Sequence, residues 1–254
     1  MHAGLKQMSA SKILMSANNL KHTDPGRPNH VYELNPAAAK FWFDLDTADC
    51  ERPRLARYGV HGDGSCAYHS ICTALNVDDY VHQNDERQKQ IAYKFRCGFA
   101  DKLTQDGLRA IVKKCKTKSP VRLTEVQEAL CDPKVWADET TIRFMAETLD
   151  MNLIFLDMTK NNVYCGLHHD KALGAGEAVE DWLSAGAVAR MPPTIVVLWV
   201  NHSHFEPLAQ ILREGPRVTE LRVVFDPAHN PNDELLIKAL MSRYKMQCSP
   251  KRKK

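Results

Sequence analysis

A short glycine-rich segment carries a thiol in a setting suited to chemistry. Residues 61–70 read HGDGSCAYHS, in which Cys66 follows two glycines, an aspartate and a serine. Apolar residues recur after it at helical spacing, and Ser65 is of a type that caps helices, so Cys66 is predicted in a helix's first turn. Amides and the dipole at a helix N-terminus stabilise a thiolate, so we expect a lowered pKa for Cys66. The same amides, which Gly62 and Gly64 allow to approach closely, could bind an oxyanion.

A second segment, far downstream, supplies a candidate general base. Residues 201–206 read NHSHFE and follow a β-branched apolar run, which predicts a strand, a tight connection and a returning strand. His204 would then be rigidly held at the end of a sheet. Asn201 or Glu206 could bond its far ring nitrogen and fix its orientation, and both remain candidates. Strand geometry favours Glu206, because residues two apart lie on the same side.

Other interpretations of these residues do not involve catalysis. A cysteine flanked by glycines at a helix start is often structural, and the second segment could be a surface hairpin with two incidental histidines. His202 and His204 would share one face of a strand, as metal ligands can, but no third ligand is evident in the sequence. We therefore expect no metal site and no cofactor.

Three blocks of the sequence resemble, in order, the characteristic blocks of the ovarian-tumour (OTU) family of cysteine proteases. The first is the GDGSC of residues 62–66, followed by an aromatic and then a basic residue. The second is the WAD of residues 136–138, which leads into a predicted helix and the strand 152–157. The third is the NHSHFEPL of residues 201–208. Together the blocks cover about residues 57–208, and their order is more specific than any one motif.

The resemblance implies an α/β fold in which helices pack around a small central mixed β-sheet. It also implies hydrolysis of the isopeptide bond after the C-terminal glycine of ubiquitin, with Cys66 as the nucleophile and His204 as the general base. Asp63 matches the aspartate of the family motif, where it could organise the loop without touching His204. Ala67 and His69 depart from the large apolar residue and the arginine frequent in the family, and no catalytic position is lost.

Length and patterning predict one domain of catalytic size. The chain has 254 residues, 44% of them hydrophobic and 26% charged, which is ordinary for a globular protein. We predict a flexible leader over residues 1–50, a catalytic domain over 51–212, and an extension with a helix and a basic tail over 213–254. Helical spacing dominates the first half of the patterned region, where Asp138 could cap one helix, and strands dominate the second.

Charge and hydropathy exclude several classes of partner. The terminal KRKK holds four of the 34 basic side chains, which leaves 30 against 31 acidic ones, so we expect no nucleic-acid binding. The longest apolar run, residues 195–200, is far shorter than the roughly 20 residues of a membrane span, so we expect no membrane partner. Eight cysteines without a CxxC pair predict free thiols in a reducing compartment. We expect a cytoplasmic protein, with nuclear entry through the basic tail as an alternative.

The function predicted from the resemblance is that of a thiol-dependent deubiquitinase. Its partners would be ubiquitin or polyubiquitin chains, although a related ubiquitin-like modifier would fit the same kind of groove. The alternatives are a non-catalytic ubiquitin-binding scaffold of the same fold, a nucleic-acid-associated protein directed by its tail, and a papain-like or transglutaminase-like hydrolase. Intact Cys66 and His204 argue against the scaffold, and the neutral body of the chain argues against nucleic acid.

Overall fold

Helices pack on a mixed β-sheet in the computed structural model of the chain. The structure describes residues 8–10, 14–15, 24–34, 54–114, 122–157, 162–166, 191–201, 203–214 and 219–248. His202 and the basic tail therefore lie outside the described residues, as does most of the predicted leader. No helix in the described ranges is both long and apolar enough to cross a membrane.

Ten strands and six α-helices make up the described architecture. The strands are β1 (Met8–Ala10), β2 (Leu14–Met15), β3 (His30–Glu33), β4 (Leu55–Tyr58), β5 (Asn152–Asp157), β6 (Asn162–Gly166), β7 (Thr194–Val200), β8 (His204–Glu214), β9 (Thr219–Arg222) and β10 (Val224–Phe225). The helices are α1 (Cys66–Leu75), α2 (Asp85–Lys102), α3 (Gln105–Lys114), α4 (Leu123–Cys131), α5 (Glu139–Leu149) and α6 (Pro231–Cys248), with a 3-10 segment over Val77–His82 between α1 and α2.

The sheet is mixed, which confirms the predicted α/β class. Its main path runs β2-β3-β4-β8-β7-β5-β6, with β9 beside β8, β10 beside β7 and β1 beside β9. The pairs β2–β3 and β5–β7 are parallel and the others antiparallel. With ten described strands the sheet is larger than the small one expected. Strand β8 pairs with both β7 and β4, so it lies inside the sheet.

Local sequence explains the central strands and the helix starts. All six residues of β5 and six of the seven in β7 are buried, as expected for continuous apolar runs covered on both faces. Asn84 caps α2 by accepting from the Arg87 amide, and Asp138 caps α5 by accepting from the Thr141 amide. Helix α1 packs on β8, β7 and α2, and its residues from Cys66 to Ala74 are all buried.

The segments outside the predicted catalytic domain contribute to the same sheet. Strand β3 lies within the predicted flexible leader, yet Val31, Tyr32 and Leu34 are buried and β3 pairs with β4. The predicted leader therefore includes one strand of the sheet, because these apolar side chains join the core. The predicted boundary at residue 213 falls inside β8, and β9, β10 and α6 continue the fold beyond it.

A buried arginine fixes the loop that leads into α1. Arg96, on α2, is 1% exposed and donates to the backbone carbonyl of Gly64 at 3.2 Å. It also donates to the carbonyls of Leu130, Asp132 and Val135. These bonds tie the end of α4 and the loop after it to the glycine two residues before Cys66.

Replacement of Arg96 by leucine should strongly destabilise the fold. One buried and several partly buried carbonyls would each lose a donor, at a cost of up to about 1–3 kcal/mol apiece, so we expect a loss of at least about 3 kcal/mol in unfolding free energy. Urea unfolding followed by circular dichroism measures it. Arg109→Leu is the matched control, because the ion pair of Arg109 with Asp106 is exposed and should contribute little. Equal losses in the two variants would contradict this role of Arg96.

Candidate active site

Cys66 is the first residue of α1, as its sequence context predicts. The turn before it is set by Gly64, whose φ of +84° lies in the left-handed region that glycine tolerates best. Ser65 occupies the N-cap position, but its side chain makes no capping bond. Its amide instead donates to Oδ1 of Asp63 at 3.0 Å. The loop is thus shaped by an aspartate and a glycine rather than by a serine cap.

A hydrogen bond joins the backbone of β8 to α1 at Phe205. The Ser70 hydroxyl lies 2.9 Å from the carbonyl oxygen of Cys66 and 3.1 Å from that of Phe205, and it donates to this pair. The Phe205 backbone also approaches the Cys66 sulfur. Because residues 204 and 206 flank this point on one strand, the contact places Cys66 beside the strand that carries His204 and Glu206.

The two ring nitrogens of His204 have different surroundings. Nε2 lies 3.5 Å from Oε1 of Glu206, longer than a formed hydrogen bond, although such bonds in free enzymes often tighten only with substrate. Nδ1 faces the loop before Cys66, since a Cβ built on Gly62 would lie 3.6 Å from it. The ring therefore has its carboxylate at Nε2, and on its other side it meets the loop before Cys66, where the Val60 backbone also hydrogen-bonds it.

Of the two candidates for orienting His204, the structure brings Glu206 to it. Glu206 is fully buried, and its Oε1 also accepts the Gly26 amide. Asn201 is exposed in the hairpin connection with φ +49° and makes no hydrogen bond to His204 in the described part of the chain. Its left-handed backbone forms the turn between β7 and β8, and the structure does not bring Asn201 to His204.

The charge states of the nucleophile and base differ from the sequence-based expectation. Burial raises the pKa of Cys66 to about 11, which exceeds the opposing effect of the amides of Phe205 and Ala67. The prediction of a lowered thiol pKa is therefore wrong, because it considered the helix N-terminus without desolvation. Burial, followed by the charge of Arg57, lowers the pKa of His204 to about 4. The resting site thus holds a neutral thiol and a neutral imidazole.

Glu206 is also affected by burial. Desolvation raises its pKa to about 7, while the charge of Arg57 and the amide of Gly26 act in the opposite direction. Arg57 lies on β4, and its Nη1 is 3.2 Å from Oε2 of Glu206 with both side chains buried. The carboxylate therefore changes charge in the neutral pH range.

Asp63 supports the loop beneath Cys66. Its carboxylate oxygens lie 3.0 and 3.1 Å from Nε2 of His69, whose Nδ1 contacts the Tyr80 hydroxyl. Burial lowers the pKa of His69, so the neutral ring donates from Nε2 to Asp63 and accepts from Tyr80 at Nδ1. Burial raises the pKa of Asp63, but His69 and the Ser65 amide outweigh it and hold that pKa below its usual range. Asp63 thus organises the loop.

The start of α1 also provides donors for an oxyanion. The amides of Cys66 and Ala67 approach the Cys66 sulfur, where a substrate carbonyl would be attacked. Both belong to the first turn of a helix, whose amides have no partner within the helix. A tetrahedral intermediate formed on the sulfur would therefore meet backbone donors. Within the described ranges, no group of three or more His, Cys, Asp or Glu side chains is arranged to hold a metal ion.

Three contributors to the site were missed from the sequence. Arg57 carried a weak signal, as a charged residue within the otherwise apolar LARYGV of residues 55–60. Ser70 and Gly26 carried none, because their roles arise from contacts with β8, which is distant in sequence.

Comparison with known proteins returns OTU domains, the family that the sequence blocks resemble. No family model and no curated protein matches the chain. An OTU domain solved in complex with ubiquitin aligns with a TM-score of 0.40 and 15% identity, covering 76% of this chain and 88% of the other. The OTU domain of OTUD1 aligns at 0.39 and 15%, covering 61% and 85%, and the Hazara virus OTU bound to ubiquitin at 0.36 and 14%, covering 63% and 83%. At these TM-scores the likeness carries no argument about function.

Substitution of Gly64 by alanine should damage both the fold and the site. A Cβ there would lie 2.0 Å from the Pro133 carbonyl oxygen, and alanine disfavours the left-handed φ by about 1–2 kcal/mol. We expect a loss of at least about 2 kcal/mol in unfolding free energy and slower alkylation of Cys66 by iodoacetamide. Gly98→Ala, in α2, is the control: its Cβ meets no atom within 4 Å, so stability should rise by about 0.5–1 kcal/mol. Unchanged stability in Gly64→Ala would contradict the assigned loop geometry.

Proposed function

We propose that this chain is a cysteine protease of the deubiquitinase type, which cleaves the isopeptide bond after the C-terminal glycine of ubiquitin. The observation that carries the proposal is the arrangement around β8. There Cys66 contacts the Phe205 backbone, while His204 presents Nε2 to Glu206 and Nδ1 to the loop of the nucleophile. A nucleophile, a base and an orienting carboxylate are the parts that acyl transfer needs.

The first chemical step is attack by the thiol with proton transfer to His204. Because thiol and imidazole are both neutral at rest, Nδ1 takes the proton as the sulfur bonds to the carbonyl carbon. The amides of Cys66 and Ala67 stabilise the oxyanion. Collapse of the intermediate expels the lysine amine, which receives the proton from His204, and leaves a thioester. Water then hydrolyses the thioester, with His204 acting again as base, and frees the ubiquitin carboxylate.

Glu206 acts on the charged form of His204. When Nδ1 gains a proton the ring becomes an imidazolium, and a carboxylate 3.5 Å from Nε2 stabilises that cation in a buried setting. The carboxylate also fixes the ring plane, so that Nδ1 rather than Nε2 faces the nucleophile. Glu206 is therefore needed in its ionised form.

The choice of ubiquitin as substrate rests on the three sequence blocks that resemble the OTU family. The site geometry supports acyl transfer to a thiol in general. The three sequence blocks indicate more specifically that the acyl group is the C-terminal glycine of a protein modifier. A ubiquitin-like modifier and a non-catalytic ubiquitin-binding scaffold are the alternatives that experiment must separate.

Reaction with a ubiquitin probe bearing a C-terminal thiol-reactive group tests the proposal. Wild type should form a covalent adduct, Cys66→Ala should form none, and His204→Ala should react at least about 100-fold more slowly, as expected for loss of a general base. The readout is the mass of the intact protein after incubation.

Cys97→Ala is the matched control, because Cys97 is a free, half-buried thiol on α2, and this variant should react like wild type. An adduct that survives in Cys66→Ala would overturn the assignment of the nucleophile. Folded wild type that forms no ubiquitin adduct but reacts with a ubiquitin-like probe would move the substrate to that modifier. Reaction with neither would favour the scaffold.

The pH dependence of turnover should report the ionisation of Glu206. Since its pKa is raised to about 7 and the charged form is required, kcat/KM on a fluorogenic ubiquitin amide should fall as the pH drops through about 7. His204 remains neutral until about pH 4 and does not set this limb. Glu206→Gln, which cannot ionise, should be slower at pH 8 and should lack the limb near 7. A limb of the same midpoint in wild type and Glu206→Gln would refute its assignment to Glu206.

A further inference from the structure

A buried arginine faces the candidate catalytic acid from the neighbouring strand. Arg57 is 2% exposed and lies on β4, where its register partner on β8 is Leu208, two residues beyond Glu206. Its guanidinium also lies over the ring of Tyr32, 5.4 Å from the centroid, and Tyr32 is its register partner on β3. The proposed reaction assigns no proton or bond to this cation.

The two carboxylate oxygens of Glu206 have different partners. Oε2 lies 3.2 Å from Nη1 of Arg57, while Oε1 accepts the Gly26 amide and points to Nε2 of His204. The guanidinium thus holds the far oxygen and leaves the near one for the histidine. A carboxylate held at both oxygens has little freedom to rotate away from the ring.

The backbone at Gly26 packs against both Glu206 and Tyr32. A Cβ on Gly26 would lie 2.6 Å from the Tyr32 ring and 3.1 Å from Oε1 of Glu206, so the backbone approaches both closely. The Tyr32 hydroxyl in turn accepts the Arg27 amide at 3.0 Å. Residues 26–32 therefore pack Arg57 and Glu206 against each other.

We infer that Arg57 is a positioning residue: it holds the Glu206 carboxylate in place and ionised, and through Glu206 it orients His204 for the proton transfer from Cys66. The inference rests on the proposed function for its reaction. Charge supports it as well as geometry, because a buried carboxylate without a cation would be neutral at the pH where the reaction needs an anion. A guanidinium keeps its charge under burial, which an ammonium does less reliably.

Several ionisable groups face Glu206 and His204, and Arg57 is the cation among them. Arg57 on β4 acts on both, while His69 on α1 and Asp63 in the loop before α1 act on His204. Arg57 lowers the pKa of Glu206 and also that of His204. Removing the cation would raise both, so a rate that depends on the deprotonated forms should move to higher pH.

The test compares Arg57→Met, Arg57→Lys, Glu206→Gln and the double variant Arg57→Met/Glu206→Gln with wild type. Two profiles are measured from pH 5 to 9: kcat/KM on a fluorogenic ubiquitin amide, and the rate of Cys66 alkylation by iodoacetamide, followed by mass spectrometry. Alkylation needs no ubiquitin, so it tests Arg57 even if wild type fails to cleave the ubiquitin substrate. Arg54→Gln is the matched control, because the Arg54–Glu33 pair, 2.8 Å apart, is about half exposed.

We expect Arg57→Met to lose at least about tenfold at pH 7 in both kcat/KM and the alkylation rate. The acid limb of its kcat/KM profile should shift upward by about one pH unit or more, as for loss of a close opposite charge. Arg57→Lys should keep the limb within about half a unit of wild type. The double variant should match Glu206→Gln within about twofold, since Arg57 would act only through the carboxylate. Arg54→Gln should leave both profiles unchanged.

Two results would overturn the inference. One is an Arg57→Met profile lowered equally at every pH with its midpoint unmoved, as a merely structural arginine would give. The other is a double variant that loses the product of the two single effects. If Arg57→Met does not fold, Arg57→Lys and the double variant decide, because neither leaves a buried carboxylate without a cation.

Discussion

Burial of the Glu206 carboxylate is the constraint on which the rest of the site depends. An ionised carboxylate inside a protein is stable only when cations and amides replace its lost water. The chain provides one of each, Arg57 from β4 and the amide of Gly26, and both come from the N-terminal side of the nucleophile. The loop before β3 contacts β8 at Glu206, and β3 itself pairs with β4, which carries Arg57. The N-terminal segment therefore contributes directly to the environment of Glu206.

Features that depend on neighbouring residues could be predicted from the sequence, and features that depend on distant contacts could not. The caps at Asn84 and Asp138, the buried strand β5 and the hairpin that presents His204 follow local patterns, and the structure contains them. The bond between Gly26 and Glu206 joins residues 180 apart, and no local pattern signals it. For the same reason no local pattern predicts the pairing of β3 with β4.

The thiol shows how one physical effect can be predicted correctly and still be outweighed. Cys66 does begin a helix, and amides do approach its sulfur. Yet the same packing that places those amides excludes water, and desolvation acts against the thiolate more strongly than the amides act for it. Because the pair is neutral, the proposed reaction depends on His204 and Glu206 to activate the thiol. It also leaves the resting sulfur in its less nucleophilic form.

The position of β8 inside the sheet has a consequence for how the protein is made. A ribosome releases β4 and α1 long before β8, so the thiol emerges while its base and acid are still being synthesised. Pairing of β8 with β4 joins residues roughly 150 apart in sequence. Such long-range pairing is slow, because the chain loses the entropy of loop closure before the strand contacts stabilise it. Unfinished chains would therefore carry the nucleophile without its base and its acid. The site is therefore complete only once the sheet has closed, so the proposed activity would begin only after folding.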